Sequence, residues 1–115
     1  MVSETFDAAA WRLFETAGFF ASALMRERGV FLPIADARAR FHRPGWLEDD
    51  LIVESAIAEW RDRFFLVRHM VRRAQTLILE GSELRCWAVR NPDDSRRMLA
   101  LPIPTEFRLA FGGPE

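Results

Sequence analysis

Residues 59–69, EWRDRFFLVRH, decide how this chain folds. Aromatic and apolar residues on both sides of the segment 61–63 predict two strands, one ending at Trp60 and the next beginning at Phe64. A connection this short joins antiparallel strands. It places Arg61 and Arg63 at a corner of a sheet, where fixed positive charge can bind a phosphate group. On spacing alone, a solvated turn whose charges have no function is the commoner outcome.

Upstream of these strands, apolar residues recur every three or four positions from about residue 5 to residue 28, which predicts one long helix. Ser3 or Thr5 can cap its start, and Gly29 can end it. Arg26 and Arg28 fit the C-terminal end, because positive charge is stabilised there. The apolar face of this helix consists of Phe6, Ala10, Leu13, Phe14, Ala17, Phe20, Ala21 and Leu24.

The period changes from 3.6 to 2 after residue 33, which predicts a strand that ends at Pro44 and Gly45. Its inner face carries three alanines and then Phe41, so we expect the helix to pack closely on it. The inner-face alanines are Ala35, Ala37 and Ala39.

Further strands are predicted at residues 50–61, 64–74, 83–90 and 98–103, followed by a short helix at 105–111 that Thr105 caps. Gly81 is expected to bulge or interrupt the sheet. Because the connections between strands are too short for crossovers, the sheet is antiparallel and the long helix covers one face of it. The predicted class is α+β.

Composition narrows the function classes. The 115 residues carry a net charge of −1 and are half hydrophobic, which predicts one domain, 1–115, with no electrostatic case for binding nucleic acid. All sixteen basic residues are arginine, so no Schiff-base lysine exists. Cys86 is the single cysteine, which excludes an intrachain disulfide and a multi-cysteine zinc site.

The N-terminal segment and the hydrophobic runs bear on where the protein resides. The start MVSETFD has no basic signal region, and the apolar run 17–25 is too short for a membrane span. We therefore expect a cytoplasmic protein.

Titratable side chains offer few sites. Asp7 lies among apolar residues at the start of the helix and can act as base, nucleophile or substrate anchor, although stabilising the helix dipole is an equally good interpretation. His42 and His69 lie on different strands with no recognisable nucleophile elbow, which gives no support to a hydrolase triad or a metal site. His69 is expected to fill an ordinary strand position.

Four segments carry a family resemblance: FDAAAWRLFETAG at 6–18, RGVFLPIADARARFHRPGWLEDDLIVES at 28–55, EWRDRFFLVRH at 59–69 and RRMLALPIPTEFRLA at 96–110. In their order and spacing they resemble the 4-hydroxybenzoyl-CoA thioesterase family. The resemblance implies the hotdog fold, in which one long helix packs on a curved antiparallel sheet, and the hydrolysis of a coenzyme A thioester. It also implies a homodimer or dimer of dimers, no membrane, no metal and no cofactor apart from the coenzyme A of the substrate.

Carried over by residue, the resemblance assigns Arg61 and Arg63 to the coenzyme A phosphates, whereas Asp62 and Phe64 depart from the family pattern there. Asp7 matches an aspartate that lines the acyl pocket and contacts a ring hydroxyl of the substrate.

Family members also have a first strand and an Asp-x-Asp-x-x-Gly segment before the helix, which supplies their catalytic aspartate. Here only MVSE precedes the predicted helix. We therefore expect a shortened thioesterase with impaired activity, in which Asp7 is the candidate catalytic carboxylate. The alternative is a non-catalytic subunit that binds acyl-CoA or a protein partner. The strand at 50–61 is then expected to be an exposed edge that promotes association.

Overall fold

The computed structural model describes residues 2–43 and 50–114. It contains three helices, α1 Val2–Thr16, α2 Ala21–Arg28 and α3 Thr105–Ala110. Its strands are β1 Val30–Phe31, β2 Ile34–Phe41, β3 Ile52–Trp60, β4 Phe64–Arg73, β5 Thr76–Cys86, β6 Ala88–Arg90 and β7 Met98–Ala100.

The strands form two antiparallel sheets. The larger has the order β2-β5-β4-β3, and the smaller has the order β1-β6-β7. Helix α1 packs against β3 and β4. The predicted antiparallel α+β architecture is confirmed, and β3 is an outer strand of the described sheet, as expected.

The single long helix was a wrong prediction, because the structure has two helices with a break between Thr16 and Ala21. Gly18 has φ +90, which a helix cannot accommodate, and the Phe19 amide donates to the Phe14 carbonyl across the break. The predicted end at Gly29 is confirmed: this residue has φ +64 and closes α2.

The predicted caps are also corrected. Helix α1 begins at Val2, so Ser3 and Thr5 lie inside it rather than before it. Pro104, not Thr105, precedes the first turn of α3, and no side chain caps that helix. The strand end predicted at Pro44 and Gly45 lies outside the described residues.

The alanine face of β2 is not covered by the helix, because every residue of β2 is exposed. Gly81 does not interrupt the sheet: it pairs with Ala39 on one side and His69 on the other. A Cβ at Gly81 would lie 2.1 Å from Cε2 of Phe6. The glycine therefore makes room for a helix residue rather than for a bulge.

The core is built around Phe107 of α3, which is fully buried. Its ring lies near aromatic rings of α1, β3 and β4 and of three segments outside the helices and strands, at centroid distances of 4.8–6.0 Å. These partners are Phe14, Phe19, Trp60, Phe65, Trp87 and Phe111. Residues that are far apart in sequence thus meet over the start of β4, where the β3–β4 turn ends. Within the described part of the chain, no helix is long and apolar enough to cross a membrane.

Candidate functional site

The turn between β3 and β4 carries the two predicted phosphate-binding arginines. The side chains of Arg61 and Arg63 are 56% and 48% exposed. Arg61 Nε donates to Glu59 at 3.0 Å, and Arg63 Nε donates to Asp62 at 3.4 Å. Arg63 Nη1 also donates to the Ala100 carbonyl at 2.8 Å. Exposed ion pairs are weak, so the Arg61 guanidinium can turn toward a ligand, whereas Arg63 would have to give up its bond to Ala100 or offer its remaining N–H groups.

The backbone of this turn is fixed although its side chains are exposed. The Arg61 amide donates to the Phe64 carbonyl at 2.8 Å, and the Ile103 amide donates to the Asp62 carbonyl at 2.9 Å. Arg108 of α3 donates to the Arg61 and Asp62 carbonyls. A rigid backbone with adaptable charged ends suits the binding of a flexible phosphate group.

Asp7 lies one and a half turns into α1, with its side chain 51% exposed. Its Oδ1 accepts a hydrogen bond of 2.7 Å from Arg85, whose own side chain is only 2% exposed. The carboxylate therefore has one oxygen bound by a buried guanidinium, while the residue as a whole reaches solvent. That combination fits a ligand contact better than a helix-dipole role alone.

Behind Asp7, a chain of buried polar side chains runs beneath α1 to β3. Arg85 donates to Glu83 Oε2 at 3.1 Å, Glu83 Oε1 lies 2.8 Å from His69 Nε2, and His69 Nδ1 lies 2.7 Å from Ser55 Oγ. His69, Glu83 and Arg85 are each at most 1% exposed. We call these five residues, Asp7, Arg85, Glu83, His69 and Ser55, the buried polar chain.

Packing against α1 holds the buried polar chain in place. Phe6, in the same turn of α1 as Asp7, stacks on the His69 ring with centroids 4.7 Å apart and planes 9° apart. The same Phe6 ring occupies the space above Gly81. The residues next to His69 and Gly81 in sequence point to the opposite face of the sheet, because side chains alternate along a strand, so they cannot make these contacts with Phe6.

Most of the buried polar chain was not predicted from the sequence. His69 fills a strand position as predicted, but it is hydrogen-bonded on both ring nitrogens rather than idle. The sequence did contain a signal for it. Glu83 and Arg85 are two residues apart and therefore share one face of a predicted strand, next to the strand that carries His69. His42, by contrast, lies near the surface and pairs with Glu80 at 2.7 Å.

The two predicted contact regions lie at the same end of the larger sheet. Arg85 pairs with Phe65, which is two residues after Arg63. Strand spacings put the backbones of Arg63 and Arg85 roughly 8–10 Å apart. Asp7 pairs with Arg85, whereas Arg61 and Arg63 pair with Glu59 and Asp62.

Two further side-chain chemistries can be assessed. Burial raises the pKa of the Cys86 thiol, which keeps it protonated and weakly nucleophilic. Among the described residues, no group of three or more His, Cys, Asp or Glu side chains is arranged to hold a metal ion.

A groove of 190 Å³ lies between α1 and β3, and Ser55 is one of the residues that line it. The wall is otherwise mostly small or apolar, with one exposed guanidinium from Arg12. The buried polar chain thus begins at Asp7 on one flank of α1 and ends at a groove on the other.

Comparisons with known proteins place the chain in a family. The profile of the Thioesterase-like superfamily matches residues 1–111. A curated relative, 4-hydroxybenzoyl-CoA thioesterase of Pseudomonas sp. (strain CBS-3), is 31% identical over 87 residues; this alignment covers 70% of the chain and 60% of the relative. The solved structure of 4-hydroxybenzoyl-CoA thioesterase from that strain matches with a TM-score of 0.84 at 27% identity, covering 95% of this chain and 81% of the other.

A gentisyl-coenzyme A thioesterase structure matches with a TM-score of 0.78 at 26% identity, covering 97% of this chain and 82% of the other. These structures confirm the predicted hotdog fold, with the helical break described above as the correction. The chain belongs to the Thioesterase-like superfamily and is similar to its 4-hydroxybenzoyl-CoA thioesterases.

Proposed function

We propose that this protein hydrolyses a coenzyme A thioester whose acyl group is an aromatic ring bearing a hydroxyl. Family membership supports thioester hydrolysis. The names of two relatives support the acyl group, because 4-hydroxybenzoyl and gentisyl groups are both hydroxylated benzoyl groups.

The observation that carries this proposal is the half-exposed Asp7 carboxylate anchored on buried Arg85. An ionised carboxylate only accepts hydrogen bonds, and with Oδ1 occupied it can accept a ring hydroxyl through Oδ2. Hydrogen bonds to charged groups are about twice as strong as neutral ones, so such a contact discriminates against an acyl group without the hydroxyl.

At the other end of the substrate, Arg61 and Arg63 bind the coenzyme A phosphates. Their position at the same end of the sheet as Asp7 allows one extended ligand to contact both regions. Coenzyme A enters as part of the substrate, and the proposal requires no other cofactor.

We also propose that the protein works as a homodimer or a dimer of dimers. Strand β2 is an outer strand of the described sheet, and all eight of its residues are exposed. Phe41 and Ile34, on this strand, are 55% and 38% exposed. An outer strand with exposed apolar side chains is a surface on which a second copy can pair.

The experiment is a thiol-release assay on the purified chain with 4-hydroxybenzoyl-CoA, benzoyl-CoA and octanoyl-CoA. We expect the hydroxylated substrate to give the highest kcat/KM. Asp7→Asn in the same assay separates its two candidate roles: a lost kcat with unchanged binding makes Asp7 the catalytic carboxylate, whereas a selective loss on the hydroxylated substrate makes it the anchor. Binding of all three ligands without turnover would contradict the enzyme and favour the non-catalytic acyl-CoA-binding alternative.

A further inference from the structure

We propose that Arg85 is a positioning residue that fixes the Asp7 carboxylate in the orientation needed to select a hydroxylated acyl group. This inference rests on the proposed function, since it concerns how Asp7 contacts the substrate. Arg85 itself does not reach the ligand, because its side chain is 2% exposed whereas that of Asp7 is 51% exposed.

The guanidinium of Arg85 is immobile because protein groups surround it. Its Nη1 donates to the Leu32 carbonyl at 2.7 Å, while Nη2 donates to Asp7 at 2.7 Å and to Glu83 at 3.1 Å. A planar guanidinium held at two nitrogens cannot follow a rotating carboxylate. Asp7 must therefore adopt the position that Arg85 offers.

Aromatic rings close the remaining sides of this guanidinium. Its central carbon lies 5.9 Å from the Trp11 ring centroid and 5.5 Å from that of Phe14, both on the same helix as Asp7. Arg85 Nε is buried without a hydrogen-bond partner among the described atoms. A buried orphan donor costs free energy, and the hydrogen bonds that the rest of the guanidinium makes to Leu32, Asp7 and Glu83 offset that cost.

The rest of the buried polar chain holds Glu83 beside Arg85. Arg85 only donates, so Glu83 Oε2 and Asp7 Oδ1 both accept hydrogen bonds from it. The other carboxylate oxygen of Glu83 hydrogen-bonds His69 Nε2 at 2.8 Å, and His69 Nδ1 hydrogen-bonds the Ser55 hydroxyl at 2.7 Å.

Hydrogen bonds at both of its oxygens hold Glu83 in place, Glu83 shares the guanidinium Nη2 with Asp7, and the guanidinium fixes Asp7 Oδ1. Oδ2 is left as the acceptor available to a ligand. Without Arg85, an aspartate that is half exposed would exchange rotamers and be hydrated in several of them.

The test measures selection of the hydroxyl by binding, so it does not depend on turnover. The probes are two thioether analogues, in which a methylene separates sulfur from the carbonyl: one carries a 4-hydroxyphenyl ring and the other a phenyl ring. The readout is the ratio of their dissociation constants by calorimetry. We expect the wild-type chain to prefer the hydroxylated analogue by about tenfold or more.

Arg85→Lys keeps the positive charge but removes the fork, and we expect the preference to fall to about twofold or less. Arg72→Lys is the matched control, because this arginine also donates to a glutamate, Glu54, at 2.8 Å but lies on β4 away from Asp7. The ratio of the two dissociation constants for Arg72→Lys should equal that of the wild type. Circular dichroism verifies that each variant is folded.

Asp7→Glu provides a second readout that does not perturb a buried residue. It keeps the carboxylate and moves it by one methylene, so a positioning role predicts that the preference is lost, whereas a purely electrostatic role predicts that it is kept. If Arg85→Lys and Asp7→Glu both prefer the hydroxylated analogue as strongly as the wild type does, the positioning role is overturned and the thioesterase proposal stands. If Arg85→Lys does not fold, Asp7→Glu decides. A wild-type preference near one would overturn both the ring-hydroxyl assignment and the role of Arg85.

Discussion

Two charged regions of this molecule contain the same residue types but differ in what holds them. In the buried polar chain, Glu83 and Arg85 are 1% exposed and each contacts more than one protein group. At the β3–β4 turn, Arg61 and Arg63 are about half exposed and their carboxylate partners are sequence neighbours, although Arg63 also donates to the Ala100 carbonyl. Burial makes the first set structural, whereas exposure leaves the second set able to make the phosphate contacts that we propose for it.

The largest expected effect is on Glu83. Glu83→Gln keeps the shape but removes the charge that compensates Arg85, so the free energy of unfolding should fall by about 3–5 kcal/mol. Glu80→Gln is the matched control on the same strand: Glu80 pairs with His42 at 2.7 Å, but its side chain is 37% exposed. We expect that variant to lose less than about 1 kcal/mol. Urea denaturation measures both, and equal losses would erase the distinction between buried and exposed charge.

Much of this contrast could not be read from the sequence, because charged residues in a strand are ordinarily assigned to its solvent face. Arg85 and Asp7 are 78 positions apart, and only the folded chain shows that the helix supplies the second acceptor. The turn at Arg61 and Arg63 was predictable because its two strands are adjacent in sequence, and local contacts follow from period and spacing.

The same distinction between local and distant contacts explains the errors in the fold. Apolar periodicity continues through Gly18, so the pattern predicted one helix where the backbone takes φ +90. Gly81 was expected to bulge, since glycine in a strand often does. Its actual partner is Phe6, 75 positions earlier, and no local pattern records that contact. Confirmed elements such as the end of α2 at Gly29 depend on a single local conformation.

Gly81 gives the second prediction. Its added methyl group would lie 2.1 Å from Phe6 Cε2, in a place where Phe6 is 2% exposed and stacked on His69. Gly81→Ala should therefore cost about 1–3 kcal/mol of unfolding free energy.

A double variant makes the second prediction more specific. Phe6→Leu, combined with Gly81→Ala, replaces the ring that the new methyl group meets, so the two losses should not add. Additive losses in urea denaturation would mean that the Phe6 contact is not the source of the cost.

The smallest effect on stability, and the one most specific for binding, is expected at Arg61. Its side chain is 56% exposed and pairs with the nearby Glu59, so Arg61→Ala should leave the unfolding free energy within about 0.5 kcal/mol of the wild type. The same change should weaken coenzyme A binding about threefold to tenfold and leave pantetheine, which lacks the nucleotide phosphates, unaffected. Arg96→Ala removes an arginine that is 91% exposed outside the turn, and calorimetry should show no change for either ligand. An equal loss for coenzyme A in both variants would mean that general positive charge, rather than the turn, attracts the phosphates; an equal loss for pantetheine would mean that Arg61 contacts a different part of the ligand.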